Sequence, residues 1–237
     1  YLYTILLVIF IALLTKAYIK VRDPFWYSQP VHHIYDVFSR FRNNTVININ
    51  LPTANKYVNI INVKTTRVAD MDEVDVAKAC DFITNNFLRE KDYIEYKPTQ
   101  DNIVGYLNAS NHPSYINVYK IPSMRYDAES KKYVDEDEYC SVMTARPLVV
   151  TLFSVEPFPT YYVDHLCVKP EMRGKGIAAK SIQTFYHNVS RDYSKINTYI
   201  FKREGKLTGI VPLTLFNIKA FHTSDIPNIA FPHDAYN

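Results

Sequence analysis

Cysteine is scarce in this chain. Cys80, Cys140 and Cys167 are three in 237 residues, far apart and odd in number, which speaks against a disulfide framework or a cysteine-based zinc site and fits a reducing compartment. An excess of one charge is lacking too: 27 Lys and Arg face 24 Asp and Glu, a net charge of +3. The basic residues are dispersed, so no nucleic-acid partner is expected. No internal repeat or low-complexity segment is present, His32 and His33 build no metal-ligand pattern, and no Ser–His or Cys–His arrangement announces a covalent nucleophile. What is present is a chain with 47% hydrophobic and 22% charged residues, able to bury the core of one domain or two small ones.

Residues Leu2 to Leu14 are almost wholly apolar, and the run extends to Tyr18 despite Lys16. It is apolar on every face and has no small-x-small cleavage site before Lys16, which favours a transmembrane anchor over residues 1–20 against a signal peptide or a core helix. The chain opens on Tyr1 rather than Met, so upstream residues are expected to complete the span. Lys16, Lys20 and Arg22 follow the run, which places the rest of a single-pass protein in the cytosol.

Residues 21–57 read as an extended arm, rich in Pro, aromatic residues and His over Asp23 to Ser39. Residues 58–237 read as one folded domain. Strands are expected at Asn59 to Val63, Tyr115 to Tyr119, Ser141 to Phe153, Tyr161 to Val168 and Ile196 to Phe201. Val76, Ala79, Cys80, Ile83 and Phe87 recur at helical spacing behind Asp72 and Glu73, predicting a helix over Glu73 to Leu88. Further helices are expected at Asn102 to Leu107 and from Ile177 to about Asn188. The acidic Asp127 to Glu138 segment reads as a solvated turn or loop, and Cys167 as a core residue. This order gives an α/β (α+β) plan, a mixed central sheet flanked by helices.

The stretch Val163 to Ala178 concentrates the chemistry. It reads as an apolar strand, a short basic loop bearing Gly174 and Gly176, and the start of a helix. Free backbone N–H groups and cationic side chains then meet at the positive end of a helix, an arrangement that holds a pyrophosphate. Arg173-Gly174-Lys175-Gly176-Ile177-Ala178 fits the acyl-CoA-binding pattern Gln/Arg-x-x-Gly-x-Gly/Ala and resembles that of the GNAT acyltransferase superfamily. Phe25-Trp26-Tyr27-Ser28-Gln29-Pro30-Val31 resembles the Phe-Trp-x-Thr-Gln-Pro-Val arm of glycylpeptide N-myristoyltransferases. His165-Leu166-Cys167-Val168-Lys169 resembles the Phe-Leu-Cys-Val-His strand of the same family, and the order of the intervening segments agrees over roughly Asp23 to Phe221.

The resemblance implies a GNAT-like domain that takes acyl-CoA, most simply myristoyl-CoA, as co-substrate, with no metal. It implies backbone amides of His165 and Leu166 as the oxyanion hole. It also implies acyl-CoA contacts from Phe25, Trp26, Val168, Arg173, Gly174, Lys175, Gly176, Ile177 and Ala178. The acceptor would be a glycine-terminated peptide or protein. Departures are plain: Asp164 stands for the family's Asn and His165 for its Phe. No residue of the sequence corresponds to the C-terminal carboxylate that serves the family as base. Two functions are therefore expected: a membrane-anchored N-myristoyltransferase-like enzyme, or a catalytically degenerate, membrane-bound scaffold. A composition heavy in Tyr, Asn, Ile and Lys, as in many large DNA viruses, makes the scaffold a candidate virion component with capsid or membrane-protein partners.

Overall fold

In a computed structural model of the chain, residues 1–36, 50–88, 97–127, 131–152, 155–202 and 210–214 are described. They fall into two compact units, 1–36 with 210–214, and 50–202.

The first unit is dominated by helix α1 (Leu2–Arg22). Its 21 residues extend ~31 Å at ~1.5 Å each, the thickness of a bilayer's hydrocarbon core. The helix is long and apolar enough to cross a membrane. All of its side chains except Thr15 and Ile19 are exposed. Lys20 and Arg22 close its last turn, where cations suit the helix dipole. The arm expected to be irregular contains one helical turn, α2 (Pro24–Tyr27), with Pro24 at its first position, where no N–H is needed. His33 pairs with Ile210 in a β-bridge. Residues 37–49 of the arm lie outside the described residues.

The second unit is built on a five-stranded sheet in the order β1-β2-β3-β4-β5. The strands are β1 (Val63–Arg67), β2 (Tyr115–Asp127), β3 (Lys132–Leu152), β4 (Val155–Val168) and β5 (Tyr199–Phe201). The first four pair antiparallel, and β4 pairs with β5 in parallel. Helices α3 (Glu73–Asn86) and α4 (Gln100–Leu107) cover one face, and α5 (Ile177–Asp192) covers the other. The expected mixed sheet flanked by helices, preceded by an apolar helix, is thus the observed fold.

Each face is packed by strand alternation. Ile116, Val118, Val142 and Cys167 meet Val76, Ala79, Cys80, Ile83, Ile103 and Leu107 on the α3/α4 face. Tyr115, Met143, Ala145 and Tyr161 meet Phe185 and Val189 on the α5 face. Large side chains buried in this way stabilise the fold by about 1.5–3 kcal/mol each. Cys167 is a core residue as expected, and burial pushes its thiol up to about 12. Both short helices on that face are capped from the sequence: Asp72 accepts the Asp75 N–H, and Thr99 forms a capping box with Asn102.

Three expectations need correction. The first strand is Val63–Arg67, not Asn59 to Val63, because Asn59 turns the chain by accepting the Asn62 N–H. Its polar residues are satisfied from within: Thr65 donates to Asn117 and accepts from Asn188 of α5. The acidic run is not a loop. Asp135 to Glu138 belong to β3 and pair in register with Ile121 to Met124, while Lys78 and Lys120 sit against Glu136 and Asp137. The last strand is Tyr199–Phe201, with Ile196 buried in the turn before it.

Candidate active site

Strand β4 carries an irregularity near its C-terminal end. Val142 pairs with Cys167 and Thr144 with Asp164, so His165 and Leu166 together oppose the single residue Met143. This is a β-bulge. His165 takes φ +49, a left-handed conformation that costs a non-glycine residue roughly 1–2 kcal/mol. The extra residue also changes what each face receives. Tyr162 and Asp164 point toward α4, and His165 joins them there against Phe87 and Tyr106, while Leu166 packs on the α5 side.

A polar network holds the bulge. Asp164 Oδ1 accepts the His165 N–H at 2.8 Å, and Asp164 Oδ2 accepts the Tyr106 hydroxyl at 3.2 Å. Thr144 Oγ1 and His165 Nδ1 share a hydrogen bond of 2.8 Å. His165 is only 3% exposed, and burial lowers its imidazole below the ordinary value against the opposing pull of Asp164. Burial likewise raises the Tyr106 phenol. Arg146, the cross-strand partner of Tyr162, lays its guanidinium 4.2 Å from the centre of the Tyr106 ring.

Among the described residues, β5 pairs with β4 over Tyr161 to Val163. From Asp164 to Val168, β4 runs on with β3 alone among the described residues.

The glycine loop follows five residues after β4 ends. A 3-10 turn, Pro170–Met172, leads through Arg173 to Gly174 at φ +76 and Gly176 at φ +73, the residue that caps α5. Both are left-handed, and a Cβ built on either meets nothing within 4 Å. Glycine is required here by conformation, and the space above it is open. The first turn of α5 has no side-chain cap and no acidic residue, which leaves its N–H groups and the helix dipole directed at whatever occupies that space. Arg173 and Lys175 are exposed beside it, Ile177 is buried beneath, and Ala178 is half-buried. Val168 packs at the end of β4 against the cluster of Val63, Tyr119, Cys140 and Ile177.

The structure therefore brings together His165, Leu166, Val168 and the Arg173 to Ala178 loop on one strand-to-helix connection. Phe25 and Trp26 belong to the first unit, where their rings meet edge to face at 4.9 Å. One expectation is modified: the His165 amide, read as an oxyanion donor, is already engaged by the Asp164 carboxylate. Tyr106, Thr144 and Arg146 were not singled out by sequence. They lie 19 to 59 positions from His165; strand register places Thr144 and Arg146, and the packing of α4 on the sheet places Tyr106.

No protein-family description matches the sequence, and no curated protein matches it. Solved structures that resemble it include glucosamine-6-phosphate N-acetyltransferase from Arabidopsis thaliana, at 11% identity and TM-score 0.40 over 68% of this chain and 99% of that one. A GNAT family acetyltransferase from Staphylococcus aureus is similar at 11% identity and TM-score 0.41, over 68% and 100%. A predicted acetyltransferase with acetyl-CoA from Clostridium acetobutylicum is similar at 11% and 0.40, over 60% and 80%. All three neighbours are described as acetyltransferases. Nothing of their substrates transfers at such distance.

Proposed function

We propose that the chain binds acyl-CoA and transfers its acyl group to an amine. The observation that carries this reading is the left-handed bulge at His165, which leads directly to the uncapped glycine loop. Strained, hydrogen-bonded bulges gather next to active sites. The Gly174 to Ala178 turn would hold the pyrophosphate by its N–H groups, and the bulge would present donors to the thioester oxygen.

Direct transfer needs no covalent enzyme intermediate. The amine nitrogen bonds to the thioester carbon, the C–S bond breaks, and the CoA thiolate leaves. Asp164 is the carboxylate within the site that can accept the amine's proton. To expose the His165 donor, its carboxylate must first turn away from that N–H.

The finer reading is a fatty acyl group, most simply myristoyl, and an N-terminal glycine as acceptor. It is supported by the Phe25 to Val31 and His165 to Lys169 motifs, and α1 would tether the enzyme at the membrane where such products act. Calorimetric titration with myristoyl-CoA and acetyl-CoA tests the donor. Saturable binding of myristoyl-CoA with a weaker acetyl-CoA response is expected; no binding of either defeats the reading. A glycine-terminated peptide should then gain the mass of the acyl group.

A second reading has one observation in its favour. The Asp164 carboxylate occupying the His165 N–H is what a disused oxyanion site would look like, and the protein would then serve as a membrane-bound scaffold. Acyl-CoA binding without transfer to any amine would select it.

A further inference from the structure

The acyltransferase reading leaves the acceptor's side of the site undefined, and the inference here rests on that reading. The α4 side of the sheet holds an arginine with an unanswered donor. Arg146 Nε is buried and has no hydrogen-bond partner among the described residues, although a buried unsatisfied donor costs about 1–3 kcal/mol. Its guanidinium lies 4.2 Å from the centre of the Tyr106 ring and 5.8 Å from that of Tyr162. The cation thus lies against two aromatic rings, with Tyr106 also a hydrogen-bond partner of the side chain, and the Nε–H is the donor that remains for an oxygen acceptor.

The second anchor is Asp164. Its two oxygens accept one hydrogen bond each, from His165 N–H and Tyr106 O–H, and a carboxylate has about four acceptor sites. Capacity for a cation remains. Tyr106 touches both anchors, its ring under Arg146 and its hydroxyl on Asp164. In the ladder Arg146 faces Tyr162 and Thr144 faces Asp164, so the two anchors stand two residues apart along the strands, ~7 Å. Tyr106, Arg146, Tyr162 and Asp164 are all half-buried; Arg146 Nε itself is covered, so an acceptor oxygen reaches it only as the side chains around it shift.

We propose that Asp164 and Arg146 form the acceptor subsite, Asp164 receiving the ammonium group and Arg146 a carbonyl or carboxylate oxygen a few bonds away. The acceptor is then an α-amine with an adjacent C=O, as in the first residue of a peptide or in a free amino acid, and not a simple alkylamine.

The test follows the Arg146 Nε–H resonance in 15N-labelled full chain in detergent micelles, assigned by its disappearance in Arg146→Lys. Glycylglycinamide, glycine and ethylamine are titrated in turn. Saturable movement with glycylglycinamide or glycine and none with ethylamine is expected, and whichever acts at lower concentration identifies the oxygen as carbonyl or carboxylate. No movement with either, or equal movement with ethylamine, overturns the subsite. The amides of Gly174 and Gly176 are followed separately with myristoyl-CoA and acetyl-CoA. Their failure to move defeats the acyl-CoA reading instead. In turnover, Arg146→Lys should raise the peptide KM about tenfold and lower kcat by less; an unchanged KM counts against the proposal.

Discussion

The glycine loop and the strand bulge lie within a dozen residues of each other and are built in opposite ways. The loop is exposed, cationic and held by backbone conformation, with open space around both glycines. The bulge is buried, carries a left-handed histidine, and is held by side chains from α4, β3 and β4. A ligand meets a ready surface at the loop, but at the bulge it must compete with the protein's own hydrogen bonds. Binding and turnover should therefore respond to different residues.

The largest separation is expected at Asp164. Asp164→Ala should lower turnover about a hundredfold, the lower range of a lost general base, while acyl-CoA affinity measured by calorimetry stays within threefold. An equal loss of both would erase the distinction. Next is Gly176→Val, which forces a β-branched residue to φ +73. Strain of ~1–2 kcal/mol or more should weaken acyl-CoA binding about tenfold, with the thermal midpoint falling by only a few degrees; unimpaired binding would remove the loop from the site.

A third effect tests the burial of the bulge. His165 is held below its ordinary protonation range in the folded state by burial, so the unfolded chain takes up the proton first. Stability is fully present above the unfolded value of ~6.5 and declines as pH falls below it, at up to ~1.4 kcal/mol per pH unit. Urea midpoints at pH 7.5 and 5.5 should differ in the native protein and differ less in His165→Asn, which tolerates the left-handed backbone. The smallest effect is at the far end of α5, where Asp192 meets Arg67 and the Tyr115 hydroxyl. Arg67 holds the Asp192 carboxyl below its usual range. Its contribution is present above ~3.9 and lost as pH falls through the lower folded value. Asp192→Asn should lower the melting temperature on the order of 1–2 °C at neutral pH, with the difference from the native protein vanishing in acid.

The same contrast explains what was legible. The loop could be read because its signal is local: two glycines, two cations and a helix start within six residues. Helix α3 could be read from its periodicity behind Asp72, and α5 from the glycine turn before it; α4 begins two residues earlier than expected, at Gln100 behind the Thr99 cap. The bulge could not, because an extra residue is visible only against the register of a partner strand. Tyr106 and Arg146 look like ordinary surface residues until pairing places them beside Asp164. The acidic run misled for a related reason: Asp135 to Glu138 are charged enough for a loop, yet the β2 ladder and nearby lysines hold them in a strand. β1 misled because Lys64-Thr65-Thr66-Arg67 has no apolar alternation; its partners are Asn117 and Asn188, far away in sequence.

The bulge also has a genetic meaning. Two residues of β4 oppose one of β3, and Leu166 and Cys167 already sit on the faces a regular strand would give them if His165 were absent. Deleting that single codon would close this irregularity, Met143 then standing opposite Leu166, and would leave only the shift between Val150 and Leu152 in the ladder. One codon thus separates the site's geometry from a regular stretch of strand.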